Sequence, residues 1–234
     1  KIIRNIQSQA RNTRYEILSN FCKKNKINTI LTAHNLEDQV ETFFIRLSRG
    51  SGLQGLAAMK SLSKLKNKIN LYRPLLDTKK KFLTKISKNV FGTYFKDPSN
   101  KNLKYLRTKV RNLKKPLEKS GIGYEQIIKS IKNLALSKAT LDTYFAKIFK
   151  EIIKKKDKEI LIDFKRFREL NNEIKIAVIN ESVKKIKKNY YNLRARKVAN
   201  LINNLMKSNF KQSTLGGCIF TIKKEYLCLK IEKT

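Results

Sequence analysis

ILTAHNLEDQVETFFIRLSRGSGLQGLAAM, residues 30 to 59, decides how the chain is read. Its start is apolar and β-branched, and residues 28–33 (NTILTA) read as a short, buried parallel strand. Leu36, Val40, Phe43, Phe44 and Leu47 then recur at helical spacing, so an amphipathic helix follows from Leu36 to about Ser48. Asp38 and Glu41 lie three residues apart on that helix and project from one face. His34 and Asn35 fall where strand gives way to helix, the end of a parallel α/β sheet at which ligands sit. Two acids there suit an amine, a metal or a proton in transfer. Arg46 and Arg49 follow on the same element, and the glycines of GSGLQG (50–55) let backbone amides approach a ligand. The same spacing also fits a helix whose first-turn acids complement its dipole and whose glycines close its end. On spacing alone both readings stand.

Working outward, residues 6–24 have a helical pattern, and INLYRPLL (69–76) reads as another strand closed by Pro74. A basic helix is expected over about 78–90. Asp97 and Pro98 start a turn, and Ser99 or Asn100 can cap a helix running to about 117. After Gly121 the pattern is mostly helical to about 156, then EILIDF (159–164) reads as a strand. Helices are expected over 166–188 and 194–208, and STLGGCIFTIKKEYLCLKIE (213–232) as a two-stranded hairpin. The order predicts an α/β class with a parallel sheet, followed by a mostly helical domain ending in a β-hairpin. The pattern changes near 118, which sets expected domains of 1–118 and 119–234.

Fifty-four basic residues against 18 acidic ones give a formal net charge of +36. A surface of that sign attracts polyanions, nucleic acid above all. Abundant lysine, isoleucine and asparagine also fit AT-rich codons, so charge alone does not establish a nucleic-acid partner. Hydrophobic residues make up 41%, enough for a core in a chain of 234 residues. Cys22, Cys218 and Cys228 form no CxxC pair, which argues against a zinc site or disulfide framework and for a reducing, cytoplasmic compartment. No apolar run is long enough for a membrane span, so no membrane partner is expected.

TAHNLEDQVETFFIRLSRGSGLQGLAAM (32–59) resembles the second signature of the bacterial tRNA(Ile)-lysidine synthases. These are N-type ATP pyrophosphatases of the PP-loop, Rossmann-like class. The signature is a histidine-containing strand end, D-x-x-E-T on a helix, then R-G-S-G-x-x-G-L. ARNTRY (10–15), RPLL (73–76), KDPSNKNLKYLRTKVR (96–111) and LGGC (215–218) agree in order, so the similarity spans most of the chain. Asn35 stands where the family commonly has a second histidine, and Glu37 where an aspartate is frequent.

The resemblance implies an amino-terminally incomplete, doubly wound parallel sheet of the PP-loop type. It implies ATP-dependent ligation of free L-lysine to C2 of the wobble cytidine of a tRNA(Ile) with a CAU anticodon, through an adenylated cytidine. Asp38 and Glu41 would then bind and orient lysine, with a nearby carboxylate as a base. Arg14, His34, Arg46 and Arg49 would meet ATP or the lysine carboxylate. Lys101, Lys104, Tyr105, Arg107, Lys109 and Arg111 would face tRNA, and the domain over 119–234 would bind tRNA as well. The family's S-G-G-x-D-S loop, which cradles pyrophosphate and helps hold Mg2+, is not in the sequence, and Lys1 stands close before ARNTRY. The expectation is therefore a truncated chain, inactive alone, with the principal Mg2+ site upstream. A homodimer is left open. The alternatives are a non-catalytic basic RNA-binding remnant, a tRNA thiolase of the same fold and a basic ribosome-associated protein.

Overall fold

The computed structural model describes residues 6–65, 68–95, 105–156, 159–187 and 193–232. The chain divides into two compact units, Lys1–Lys138 and Ala139–Thr234.

The first unit holds α1 (Ile6–Lys24), β1 (Thr29–Leu31), α2 (Leu36–Leu47), α3 (Leu53–Leu56), β2 (Leu62–Lys64) and β3 (Asn70–Tyr72). It continues with α4 (Lys80–Phe91), α5 (Leu106–Asn112), α6 (Lys114–Lys119) and the start of α7 (Tyr124–Ile152). The sheet order is β1-β3-β2. β1 and β3 are parallel, with Ile30 opposite Leu71, as the helix–strand–helix reading requires. β2 was not expected; it pairs antiparallel to β3, with Ser63 opposite Leu71.

Burial of β1 is one-sided. Ile30 packs with Cys22, Ile69 and Leu71, whereas Leu31 is 65% exposed, so the expected strand buried on both faces is corrected. α2 places Leu36 and Val40 against Tyr124, Ile127, Ile128 and Ile131 of α7. Leu47 is exposed, so the apolar stripe ends before the helix does. The packing of α2 on α7 makes residues 124–138 part of the first unit. The compositional change near 118 and this division within α7 are thus separate features.

The second unit contains the end of α7, then β4 (Ile153–Lys156), β5 (Glu159–Asp163), α8 (Phe164–Glu169) and α9 (Asn172–Ile186). It ends with α10 (Ala195–Leu205), β6 (Gln212–Leu215), β7 (Cys218–Lys223) and β8 (Tyr226–Ile231). The strands form one antiparallel sheet, order β4-β5-β8-β7-β6. The expected closing hairpin is therefore three strands of a five-stranded sheet. Gly216 and Gly217, at φ +63° and +69°, turn β6 into β7, as a two-residue hairpin loop demands. The expected helix over 166–188 is two helices, because Leu170 is extended and the Asn171 side chain caps α9 by accepting from Ile174 N–H at 3.0 Å. Ile160, Ile162, Phe220, Leu227 and Leu229 project from the inner face into a core with Val178, Ile179, Val198 and Leu201.

Candidate functional site

Asn35 is the N-cap of α2 and has an extended backbone. Its Oδ1 accepts from Asp38 N–H at 3.1 Å, and Asp38 Oδ2 accepts from Asn35 N–H at 3.0 Å, closing a capping box. One oxygen of Asp38 is thereby committed to the helix, as the capping reading expects. Glu37 accepts from Lys80 N–H at 2.8 Å, which places its charge at the positive end of α4.

Glu41 is the buried acid, 3% exposed. Two arginines of α5 reach it. Arg111 Nε donates to Oε1 at 2.5 Å and Nη2 to Oε2 at 3.4 Å. Arg107 Nε lies 2.7 Å from Oε2, yet this buried N–H is aimed at no acceptor, so charge rather than a hydrogen bond holds Arg107 there. Its Nη2 stands 3.6 Å from Asp38 Oδ1, beyond hydrogen-bond range. Arg111 is the anchor of Glu41. The guanidinium of Arg107 is the looser ion, and Asp38 Oδ1 has capacity for another cation.

His34 Nδ1 lies 2.9 Å from Thr32 Oγ1. Burial pushes its pKa below the ordinary 6.5; Asp38 opposes this, and Arg73, Arg11 and Arg107 add to it. The imidazole is thus neutral at pH 7. Arg73 is buried; its Nη1 donates to Lys60 O at 2.8 Å and Ser63 Oγ at 3.0 Å, while its buried Nε has no hydrogen-bond partner. Arg46 Nη1 donates to Gly55 O at 2.6 Å and Ala58 O at 2.8 Å. Burial lowers both pKa values, and Arg11 lowers both further. Like charges gathered in this way favour an anion among them.

The glycine segment is tied to α2. Gln39 exchanges two hydrogen bonds of 2.9 Å with the Met59 backbone. A Cβ on Gly55 would come within 2.6 Å of Ser51 Cβ, so the close turn needs glycine there. The amides of Gly50, Ser51, Gly55 and Leu56 donate to carbonyls of Leu47, Arg46 and Gly52. The expectation that residues 50–55 offer their amides to a ligand is corrected for Gly50, Ser51 and Gly55.

Residues 1–117 match the family model of the PP-loop domain. The chain belongs to the PP-loop domain family. It is 34% identical over 216 residues to a tRNA(Ile)-lysidine synthase of Wolbachia pipientis wMel, covering 92% of this chain and 50% of that protein. A tRNA(Ile)-lysidine synthase of Ruegeria pomeroyi is 30% identical over 215 residues, 92% of this chain and 51% of that protein. One from Haemophilus ducreyi is 40% identical over 112 residues, 48% and 26% of the respective chains. The chain spans about half the length of the first two relatives.

In this PP-loop chain the structure brings together His34, Asp38, Glu41, Arg107 and Arg111. Arg107 and Arg111, expected to face tRNA, instead face the carboxylates of α2. Tyr105 and Lys109 are exposed. Arg14 and Arg49 are exposed too, and Arg11, one turn before Arg14, is the α1 arginine whose charge acts on His34, Arg46 and Arg73. Lys101 and Lys104, with Asp97, Pro98, Ser99 and Asn100, lie outside the described residues. Sequence reasoning missed Arg11 and Arg73; an arginine inside the apolar run INLYRPLL was the available signal for Arg73. Among the described residues no group of three His, Cys, Asp or Glu side chains is placed to hold a metal ion, and no step is assigned to one. Nor is any described helix long and apolar enough to cross a membrane.

Proposed function

We propose that the gene product containing this chain is a tRNA(Ile)-lysidine synthase. It ligates free L-lysine to C2 of the wobble cytidine of tRNA(Ile) with a CAU anticodon, through an adenylated cytidine, and releases AMP and pyrophosphate. The observation that carries the reading is the Asp38–Glu41 pair, which faces the guanidinium groups of Arg107 and Arg111. Asp38 Oδ1, 3.6 Å from Arg107 Nη2, is the oxygen with room for a substrate ammonium. An amine must lose a proton before it attacks, and the same oxygen is suited to receive it. Arg11, Arg46 and Arg73 supply positive charge for a phosphate of ATP or for the lysine carboxylate. Neutral His34 contributes a hydrogen-bonding wall without adding to that charge. ATP supplies the adenyl group, and the names of the relatives supply the substrate class. The thiolase alternative loses ground because Cys22, Cys218 and Cys228 are all buried.

The test is transfer of labelled L-lysine by the full gene product to a transcript of tRNA(Ile) with a CAU anticodon. Transfer that requires ATP and disappears with a CAU→GAU anticodon is the expected result. RNA binding without any ATP-dependent transfer would favour the non-catalytic RNA-binding reading instead.

A further inference from the structure

The acids of the candidate site are already matched in charge. Asp38 and Glu41 of α2 face Arg107 and Arg111 of α5, two carboxylates against two guanidiniums. A substrate ammonium entering there would put three cations on two anions. In a partly buried site such an excess is disfavoured more strongly than in water, so one guanidinium has to give way. The geometry separates the two candidates. Arg111 donates from Nε to Glu41 Oε1 at 2.5 Å and from Nη2 to Oε2 at 3.4 Å, holding that carboxylate at two points. Arg107 is held by charge: its Nε lies 2.7 Å from Glu41 Oε2 without a hydrogen-bond partner, and its Nη2 stops 3.6 Å from Asp38 Oδ1. Its side chain is 38% exposed, so the guanidinium can turn out to water without crossing a core. Asp38 Oδ2 is committed to the Asn35 N–H, which leaves Oδ1 as the oxygen that Arg107 screens.

We propose that Arg107 is a displaceable counter-ion of the amine site. It stands against Asp38 Oδ1 and Glu41 Oε2 when no lysine is bound, and the ε-ammonium of the substrate expels it and takes its place. The inference rests on the reading that these two acids receive lysine. An ammonium is a compact charge whose three donors rotate, so it can bond to both oxygens, where the rigid fork of Arg107 directs a hydrogen bond to neither. One cation replaces another, so Glu41, 3% exposed, stays balanced throughout the exchange. A neutral side chain cannot make that exchange, which turns the counter-ion into a filter for charge at the end of the amino-acid side chain. The exchange also reaches α5. Arg107 belongs to its first turn, where the N–H groups of Thr108 and Lys109 donate to Tyr105 O at 3.0 and 3.2 Å, and loss of the ion pair loosens that turn.

The experiment is calorimetric titration of the full gene product and its Arg107→Gln variant with L-lysine, and with L-norleucine, which lacks the ε-amine. Removing the competing cation should tighten L-lysine binding at least about threefold and leave L-norleucine unchanged. In ATP-dependent transfer the KM for lysine should fall by the same factor while the KM for tRNA stays at the parent's value. Arg111→Gln, which removes the anchor of Glu41, should instead lower the melting temperature. Lysine binding that is unchanged or weaker in Arg107→Gln would overturn the displacement, and so would a rise in the KM for tRNA alone. A parent that neither binds nor transfers lysine would overturn the reading of the site itself, and the displacement with it. A second measurement needs no variant. Saturating L-lysine should lower hydrogen-exchange protection at Thr108 and Lys109, and L-norleucine should not. A ligand that only adds contacts raises protection, so a rise at those two amides would also overturn the proposal.

Discussion

Residues 139–234 keep their large apolar side chains inside, whereas residues 1–138 leave many of theirs on the surface. Of the exposed large hydrophobic residues described, only Tyr144 and Ile231 belong to the second unit. The first exposes Ile17, Phe21 and Leu31 around α1 and β1, and Phe82, Ile86 and Val90 along one side of α4. Its buried residues form two small clusters, while those of the second form one. Polar ties do more of the holding in the first unit: Glu41 with Arg111, Gln39 with Met59, and Arg46 and Arg73 with backbone carbonyls. Such ties fix a binding site in one geometry and respond to pH and salt more than apolar packing does. The unit that carries the candidate site is the one organised by charge.

The largest expected effect lies in the second unit. Phe220→Ala in its core should cost about 3–5 kcal/mol in denaturant unfolding, whereas Ile86→Ser on the open side of α4 should stay within about 0.5 kcal/mol. A comparable loss from Ile86→Ser would mean that this side of α4 is covered in solution, and the contrast would fail. Next comes Glu41→Gln, which leaves the arginines of α5 without their carboxylate. The expected cost is about 1–3 kcal/mol, below that of a fully buried pair because both arginine side chains are about a third exposed. Hydrogen exchange should localise that loss to α2 and α5; unchanged protection there would show that apolar packing alone holds them.

The smallest effect is a pH dependence in the first unit. His34 has a folded pKa below 6.5, so folding favours its neutral form. Its contribution to stability is complete above the unfolded value and is lost as pH falls through the lowered folded value. A His34→Gln variant should therefore show a flatter fall in melting temperature below about pH 6.5 than the parent. Parallel curves would remove His34 from the account.

The parts of this arrangement that were legible share a cause. α1, α2, α4, β3 and β5 announce themselves because their apolar residues keep one period over several residues. β2 (LSK) and β4 (IKKK) do not, since three or four residues rich in lysine carry no alternation; their register comes from β3 and β5. The β6–β7 turn at Gly216 and Gly217 was hidden because residues 213–232 carry enough alternation to read as two strands, where the structure has three. At the site, Asp38 and Glu41 were visible from their spacing, which is local. Their partners were not, for Arg111 is 70 residues from Glu41 in sequence and one arginine among so many basic residues looks RNA-facing.

The most direct measurement of the central claim is labelled-lysine transfer by the Asp38→Asn full gene product, with tRNA affinity measured on the same preparation. Losing a charge-assisted contact at Asp38 should reduce transfer by about tenfold to a hundredfold, while tRNA affinity and melting temperature stay close to the parent. Transfer at the parent's rate would contradict the account, and so would equal losses of transfer and tRNA binding in a well-folded variant.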